Sequence, residues 1–181
     1  MARLWVSSVL FEDRLKQTMA NKAGGRESKS PAPPSSVLVL GAGNVLLSDE
    51  GVGVRVVEAM KEMMLPDNVE LLDGGTGAFD LLDVIAGRDK VIIIDAVKGG
   101  GEPGAIYRFR PDDIRIQKQH LMSAHQISLP DTLAMAKFAG CSPRDVIIYG
   151  VEPKRLDWGM ELSPEVAAVV PKVMELIVSD L

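Results

Sequence analysis

The run at residues 91–95, VIIID, constrains the fold of this chain most strongly. A half-buried strand alternates apolar and polar residues, whereas this run has four apolar residues in succession before its carboxylate. Strands that are apolar on both faces are typical of the centre of a parallel sheet with helices on each side. The run therefore predicts an α/β protein.

Shorter patterns on either side of this run extend the prediction. Further strands are predicted at 37–40 (VLVL), 69–73 (VELLD), 105–110 (AIYRFR) and 145–151 (DVIIYGV), with helices at about 50–64, at 78–86, after Ser128 and from Ser163. In the last helix Pro164 occupies the first turn, a favourable place for proline, and Pro171 is expected to kink or restart it. The alternation predicts a three-layer α/β fold, with an open twisted sheet, mostly parallel with one strand reversed at an edge, and helices on both faces.

Residues 1–35 differ in composition from the rest of the chain. The stretch LWVSSVLF is short, is broken by two serines and lacks a small-residue cleavage pattern, so we do not expect a secretory signal. Residues 21–36 are rich in Gly, Ser, Pro and charge, which is typical of a flexible linker. We therefore divide the chain into an N-terminal extension and linker, 1–35, and one α/β domain, 36–181.

Composition excludes several classes of function. Only 4% of the residues are aromatic and the net charge is −5, which disfavours nucleic acid as a partner. No apolar run approaches the roughly 18 residues needed to cross a bilayer, so no membrane association is expected. A lone cysteine, Cys141, cannot form an internal disulfide and suits a reducing compartment. We expect a cytoplasmic protein, and a monomer.

The first predicted strand leads into a glycine-rich loop, GAGNVLLSDEGVG at 41–53. A dinucleotide-binding fingerprint requires a glycine where Leu46 stands, and no GK[ST] follows, so neither that fold nor a phosphate-binding P-loop fits. The loop retains Asn44 in its turn and two adjacent acids, Asp49 and Glu50. These acids either serve function or only complement the dipole of the helix that follows.

Five segments resemble, in order and spacing, the hydrogenase maturation proteases, the endopeptidases that trim the C-terminus of the nickel-iron hydrogenase large subunit. They are GAGNVLLSDEGVG (41–53), LDGGTGAFDLL (72–82), IIIDAV (92–97), SAHQISL (123–129) and WGMELSPEV (158–166). The resemblance covers residues 36–178. It implies a single α/β domain and three metal-contacting positions, Glu50, Asp95 and His125.

These three residue types suit a metal for chemical reasons as well. Ligands of open α/β sheets collect beyond the carboxyl ends of the strands, where Glu50 and Asp95 are expected. Two carboxylates and one imidazole accept zinc, nickel, iron or manganese, and ligand type alone does not choose among them. Alternatives remain for each position: Glu50 could complement a helix dipole, His125 could be a capping or surface residue, and Asp95 could be solvated or paired. Asp73, which closes the second strand, could orient a ligand or cap a turn.

The resemblance implies an endopeptidase, of a kind often classed as aspartic-type. It would recognise nickel in the precursor of the hydrogenase large subunit and remove the C-terminal extension of that precursor. Nickel would then be supplied by the substrate, and Asp95 and Glu50 are the candidate catalytic carboxylates. The alternative is a non-catalytic nickel-binding assembly chaperone on the same fold. No nucleophile elbow is visible, and Cys141 lies in a turn that is predicted to be away from the strand ends.

Overall fold

The computed structural model describes residues 36–76, 81–114, 122–123 and 129–181, and within these ranges the chain forms six strands and five α-helices. In chain order they are β1 Val37–Ala42, α1 Val52–Met60, β2 Val69–Gly75, α2 Leu81–Ile85, β3 Lys90–Lys98, β4 Ile106–Phe109, α3 Pro111–Ile114, β5 Met122–Ser123, α4 Leu129–Phe138, β6 Asp145–Val151 and α5 Pro164–Ser179. A 3₁₀ helix, Ser48–Gly51, precedes α1. All of these elements belong to one unit, Pro34–Leu181, and the predicted extension 1–35 lies outside the described residues. None of the helices in the described ranges combines the length and the hydropathy that a membrane span requires.

The main sheet has the strand order β2-β1-β3-β6-β4. Neighbouring strands are parallel except at the β4 edge, where β4 runs antiparallel to β6. The two-residue strand β5 pairs antiparallel with the end of β3, joining Ser123 to Val97 and Met122 to Lys98. The predicted open, mostly parallel sheet with one reversed edge strand is therefore confirmed.

The central strand β3 supplies both hydrophobic cores, because its side chains point alternately to the two faces of the sheet. Ile92 and Ile94 belong to the core on the face covered by α1 and α5. Val91 and Ile93 belong to the core on the opposite face, which includes side chains of α2 and α4. Each of these four side chains is fully buried and contributes about 1.5–3 kcal/mol to stability. This double burial confirms the predicted three layers.

Two helix predictions differ from the structure. The helix expected at 50–64 is divided into the 3₁₀ helix and α1, and α1 ends at Met60, six residues before Pro66. Of the two outcomes expected at Pro171, a restart is not found, because Pro171 lies inside α5, and the kink stays a prediction. One proline removes one backbone donor, and the apolar side chains of α5 that pack on the sheet, Val166, Val173 and Ile177, hold the helix on either side of it.

The end of α5 is anchored by Asp180, which follows the helix. Oδ2 of Asp180 accepts hydrogen bonds from Nε of Arg108 at 2.9 Å and from the hydroxyl of Tyr149 at 2.6 Å. Oδ1 accepts a third, from Nη2 of Arg108 at 3.1 Å. The hydrogen bonds from Arg108 hold the pKa of Asp180 below its usual value, and burial raises the pKa of Tyr149 to about 12. The last helix is thereby attached to β4 and β6.

Candidate functional site

The glycine-rich loop between β1 and α1 folds tightly against the ends of two strands. A Cβ atom at Gly53 would lie 2.2 Å from the carbonyl oxygen of Ile94 and 2.3 Å from that of Ala42. At Gly43, where φ is +138°, a Cβ atom would lie 1.9 Å from the carbonyl oxygen of Glu50. Side chains cannot approach backbone oxygens so closely, so glycine is needed for the first turn of α1 to sit on β1 and β3.

Glu50 and Asp95 consequently lie at the same end of the sheet. Glu50 belongs to the 3₁₀ helix, which contacts β3, and Asp95 directly follows Ile94 in that strand. Both residues are almost completely buried, at 5% and 3% exposed. Oδ1 of Asp95 accepts a 2.8 Å hydrogen bond from the N–H of Ala96. Both buried carboxylates lie at the carboxyl end of the sheet, where ligands of open α/β folds bind, so both positions are functional candidates.

The third predicted ligand, His125, lies outside the described residues. Within the ranges that the structure does describe, no three His, Cys, Asp or Glu side chains are close enough together to hold a metal ion. The nearest described part of the chain is β5, whose Ser123 pairs with Val97 two residues beyond Asp95. The predicted ligand set therefore stays a prediction, with two of its three members, Glu50 and Asp95, at the carboxyl end of the sheet.

Asp49, the neighbour of Glu50, joins the glycine-rich loop to the segment before α5. Its side chain is fully buried. Oδ2 accepts hydrogen bonds from the backbone N–H groups of Lys154 and Arg155, at 2.9 and 3.0 Å, and from the hydroxyl of Ser163 at 2.9 Å. Oδ1 accepts a bond of 2.6 Å from the N–H of Ser163. Four donors thus converge on one carboxylate.

The role of Asp49 differs from the dipole interpretation suggested by its sequence position. Its partners belong to residues 154–163, and the negative charge lies at the N-terminus of α5 rather than only at that of α1. The partner Ser163 is 114 positions further along the chain, so no local pattern reveals the contact. The pair of adjacent acids in the loop was the only available signal.

A further buried carboxylate, Glu152, holds the loop that follows β3. Its Oε2 accepts hydrogen bonds from the N–H groups of Gly99 and Gly101, at 2.7 and 3.3 Å, and from the hydroxyl of Tyr107 at 2.6 Å. Burial, followed by this hydrogen bond to Glu152, raises the pKa of Tyr107. Nothing near Glu152 in the chain marks it as a hydrogen-bond acceptor for a loop 51 to 53 positions away, so the sequence gives no signal for this role.

The structure also shows the local contacts of Asp73, for which two roles were open. Oδ1 of Asp73 accepts a 2.9 Å hydrogen bond from the N–H of Gly75, which has a positive φ of +49°. This is the turn-capping arrangement.

Cys141 lies away from the candidate site. Its carbonyl oxygen accepts a 3.0 Å hydrogen bond from the N–H of Gly87, just before β3 begins. Asp95 is nearer the other end of β3, so Cys141 lies at the amino ends of the strands and Asp95 toward their carboxyl ends. The prediction that this cysteine lies away from the carboxyl ends of the strands is confirmed.

Comparison with known proteins points to one family. The sequence model of the hydrogenase maturation protease family matches residues 54–180, a range that includes Asp95 and the position of His125 but begins after Glu50. Among curated proteins, the chain is 40% identical over 147 residues to the hydrogenase 2 maturation protease of Escherichia coli K12, covering 80% of this chain and 90% of that protein. It is 39% identical over 151 residues to the hydrogenase expression/formation protein HupD of Rhizobium leguminosarum, covering 82% of this chain and 75% of that protein.

Solved structures agree with these matches. The hydrogenase maturating endopeptidase HybD from Escherichia coli superposes with a TM-score of 0.73 at 39% identity, covering 80% of this chain and 91% of that one. The [NiFe] hydrogenase maturation protease HybD from Thermococcus kodakarensis gives a TM-score of 0.65 at 31% identity, covering 78% and 95%. The predicted resemblance and the α/β fold are confirmed together. This chain belongs to the hydrogenase maturation protease family.

Proposed function

We propose that this protein is an endopeptidase that recognises nickel in the precursor of the nickel-iron hydrogenase large subunit and then removes the C-terminal extension of that precursor. Membership of the family and the names of its relatives support a processing protease for a hydrogenase. The observation that carries the proposal is the pair of buried carboxylates, Glu50 and Asp95, at the carboxyl end of the sheet. Ligands of open α/β sheets bind at this end.

In this proposal Glu50, Asp95 and His125 bind the nickel ion that the substrate carries. Three protein ligands leave coordination positions open for groups of the precursor. Support for the third ligand comes from β5, since Ser123 pairs with Val97 at the end of β3. Ser123 is two positions before His125 in the sequence. Nickel is substrate here, and serves first as a signal that the precursor is loaded.

Cleavage requires water to attack the scissile carbonyl carbon. Asp95 is the first candidate, and Glu50 the second, for the carboxylate that takes the proton from this water as the C–O bond forms. The same proton then passes to the leaving amine as the C–N bond breaks. Burial of both residues suits such a role, because exclusion of bulk water strengthens their electrostatic interactions.

The proposal is tested by incubating the pure protein with a nickel-loaded precursor and measuring the mass of the precursor's C-terminus. We expect loss of the extension from the nickel-loaded precursor and none from the nickel-free one. Glu50→Gln and Asp95→Asn should each slow cleavage by at least about 100-fold, the usual contribution of a positioned acid–base group, and His125→Gln should slow cleavage of the nickel-loaded precursor by removing a metal ligand. Glu175→Gln changes a carboxylate of α5 that is 68% exposed, and should cleave like the unmodified protein.

The outcomes separate the parts of the proposal. Equal cleavage of nickel-free and nickel-loaded precursor would refute nickel recognition while leaving the protease assignment intact. A stable complex without any mass loss would favour the assembly chaperone instead. Wild-type rates in all three variants would refute the assignment of the site.

A further inference from the structure

Three large apolar side chains are exposed beside the candidate site. Leu46, Trp158 and Met160 are 47%, 81% and 59% exposed, and together they account for three of the seven exposed large apolar residues in the described ranges. We call these three residues the apolar patch. Single exposed apolar residues are common, but contiguous ones mark interaction surfaces.

The segments that carry the apolar patch lie side by side because the loop that contains Leu46 pairs with the backbone at Gly159. The N–H of Gly159 donates a 3.0 Å hydrogen bond to the carbonyl oxygen of Leu46, and the N–H of Ser48 donates a 2.7 Å bond to the carbonyl oxygen of Gly159. Trp158 and Met160 flank Gly159 in the chain. A Cβ atom at Gly159 would lie 2.7 Å from Oγ of Ser48, so a glycine allows this close pairing.

The backbone under the patch is also held from both sides. Oγ of Ser48 donates a hydrogen bond to the carbonyl oxygen of Asp157 at 3.0 Å, and Nη2 of Arg55 donates one to that of Met160 at 3.0 Å. The fully buried Asp49 fixes both ends of the 154–163 segment. Since this surface is already ordered, a partner that binds it loses little conformational entropy in the process.

Charged residues surround the patch. Arg55 forms an ion pair with Glu58, at 2.9 Å, and Arg155 lies 4.0 Å from a carboxylate oxygen of Asp157. An apolar centre with a polar, charged border is the usual arrangement of a protein–protein interface. Both signs of charge are present in this border. It therefore suits a folded protein whose surface also carries both signs, rather than a strongly charged partner.

We propose that the apolar patch is the docking surface for the folded body of the hydrogenase large-subunit precursor; this inference rests on the proposed function. Leu46 is four residues before Glu50 in the same loop, so its backbone lies within about 14 Å of that of Glu50, a distance that a folded protein presenting its C-terminal segment to Glu50 can span. Trp158 is the central contact, because tryptophan is enriched among the residues that dominate binding energy. The patch holds the precursor and leaves bond cleavage to the buried carboxylates.

The test uses the full chain and a nickel-loaded precursor that retains its extension. Trp158→Ala should raise the Kd for the precursor by at least about tenfold and raise KM by a similar factor, with kcat at saturation unchanged. Met160→Ala and Leu46→Ala should each give smaller increases in both constants. The matched control is Phe138→Ala, which removes an aromatic ring that is 91% exposed at the end of α4, and its constants should equal those of the unmodified protein.

Direct contact is measured with 5-fluorotryptophan. The chain has two tryptophans, Trp5 and Trp158, so a labelled protein gives two fluorine resonances, and Trp158→Phe assigns them. Addition of unlabelled precursor should shift the Trp158 resonance. Because Trp158 is mostly exposed, neither Trp158→Ala nor Trp158→Phe should change the melting temperature by more than about 2 °C. A loss of precursor binding in these variants then reports the lost contact and not unfolding.

Three results would overturn the docking proposal while the proposed function stands. The first is an unmodified protein that cleaves the precursor and a Trp158→Ala protein that does so with the same KM. The second is a stable dimer of the unmodified protein in sedimentation that Trp158→Ala converts to monomer, which would make the patch an interface between two copies. The third is a Trp158 resonance that moves on deletion of residues 1–35 and not on addition of precursor. Failure of the unmodified protein to cleave any precursor would refute the proposed function itself.

Discussion

Replacing Asp49 by alanine is expected to destabilise the fold by about 4 kcal/mol. The carboxylate is fully buried and accepts four hydrogen bonds, two from Ser163 and one each from the N–H groups of Lys154 and Arg155. A hydrogen bond contributes about 1 kcal/mol net on average, so the four together amount to about 4 kcal/mol. For a domain of this size, each kcal/mol lowers the melting temperature by about 2–4 °C, which predicts a fall of roughly 8–16 °C.

Asp49→Asn should give an intermediate result, because an amide has one accepting oxygen. If that oxygen occupies the Oδ2 position, it keeps the bonds from Lys154, Arg155 and the hydroxyl of Ser163, while the amide nitrogen faces the N–H of Ser163. The hydrogen bond from the N–H of Ser163 is then lost, and this N–H faces the NH₂ group of the new amide, so two donors are opposed. The expected cost is about 1–2 kcal/mol, so stability should fall in the order Asp, Asn, Ala.

Thermal and urea unfolding followed by circular dichroism measure both variants. Asp157→Ala is the matched control, since its carboxylate is 71% exposed and pairs only weakly with Arg155, at 4.0 Å. This variant should stay within about 0.5 kcal/mol of the unmodified protein. A melting temperature for Asp49→Ala within about 3 °C of the unmodified protein would refute the idea that this carboxylate joins the glycine-rich loop to the segment before α5.

Two further predictions concern backbone fit and pH. Gly53→Ala should destabilise the protein by about 3 kcal/mol in urea unfolding, because its Cβ atom would lie 2.2 Å from the carbonyl oxygen of Ile94. The control Gly140→Ala places its Cβ atom in open space at φ +68° and should cost only about 1 kcal/mol. Equal costs for the two variants would contradict the close-approach argument. The lowered pKa of Asp180 makes its ionised form stabilising, so its contribution is fully present above the unfolded-state pKa of about 3.9 and is lost as the pH falls through the lower folded-state pKa. The stability difference between the unmodified protein and Asp180→Asn should therefore shrink below about pH 4, and a difference independent of pH would show that Arg108 does not stabilise the charge.

The architecture and the family can both be predicted from the sequence, because both depend on local patterns. The apolar run in β3 can be buried on both faces only between two layers of helices, and it is found there. The order and spacing of five short segments along the chain are enough to indicate the family. The positions of Glu50 and Asp95 at the carboxyl end of the sheet also follow from the sequence, since Glu50 lies in the loop that follows β1 and Asp95 lies three residues before the end of β3.

The contacts that hold the carboxyl end of the sheet together could not be predicted in this way. Asp49 contacts donors 105 to 114 positions away, and Glu152 accepts from a loop 51 to 53 positions earlier in the chain. Each of these hydrogen bonds joins single residues that are far apart in the chain, so it produces no repeating pattern in the sequence. The apolar side chains of a strand or helix do repeat, and can therefore be recognised. The exposure of Trp158 likewise could not be predicted from local sequence. It depends on the pairing of Gly159 with a loop more than one hundred residues earlier, and that pairing forms only when the sheet has brought the two segments to the same edge.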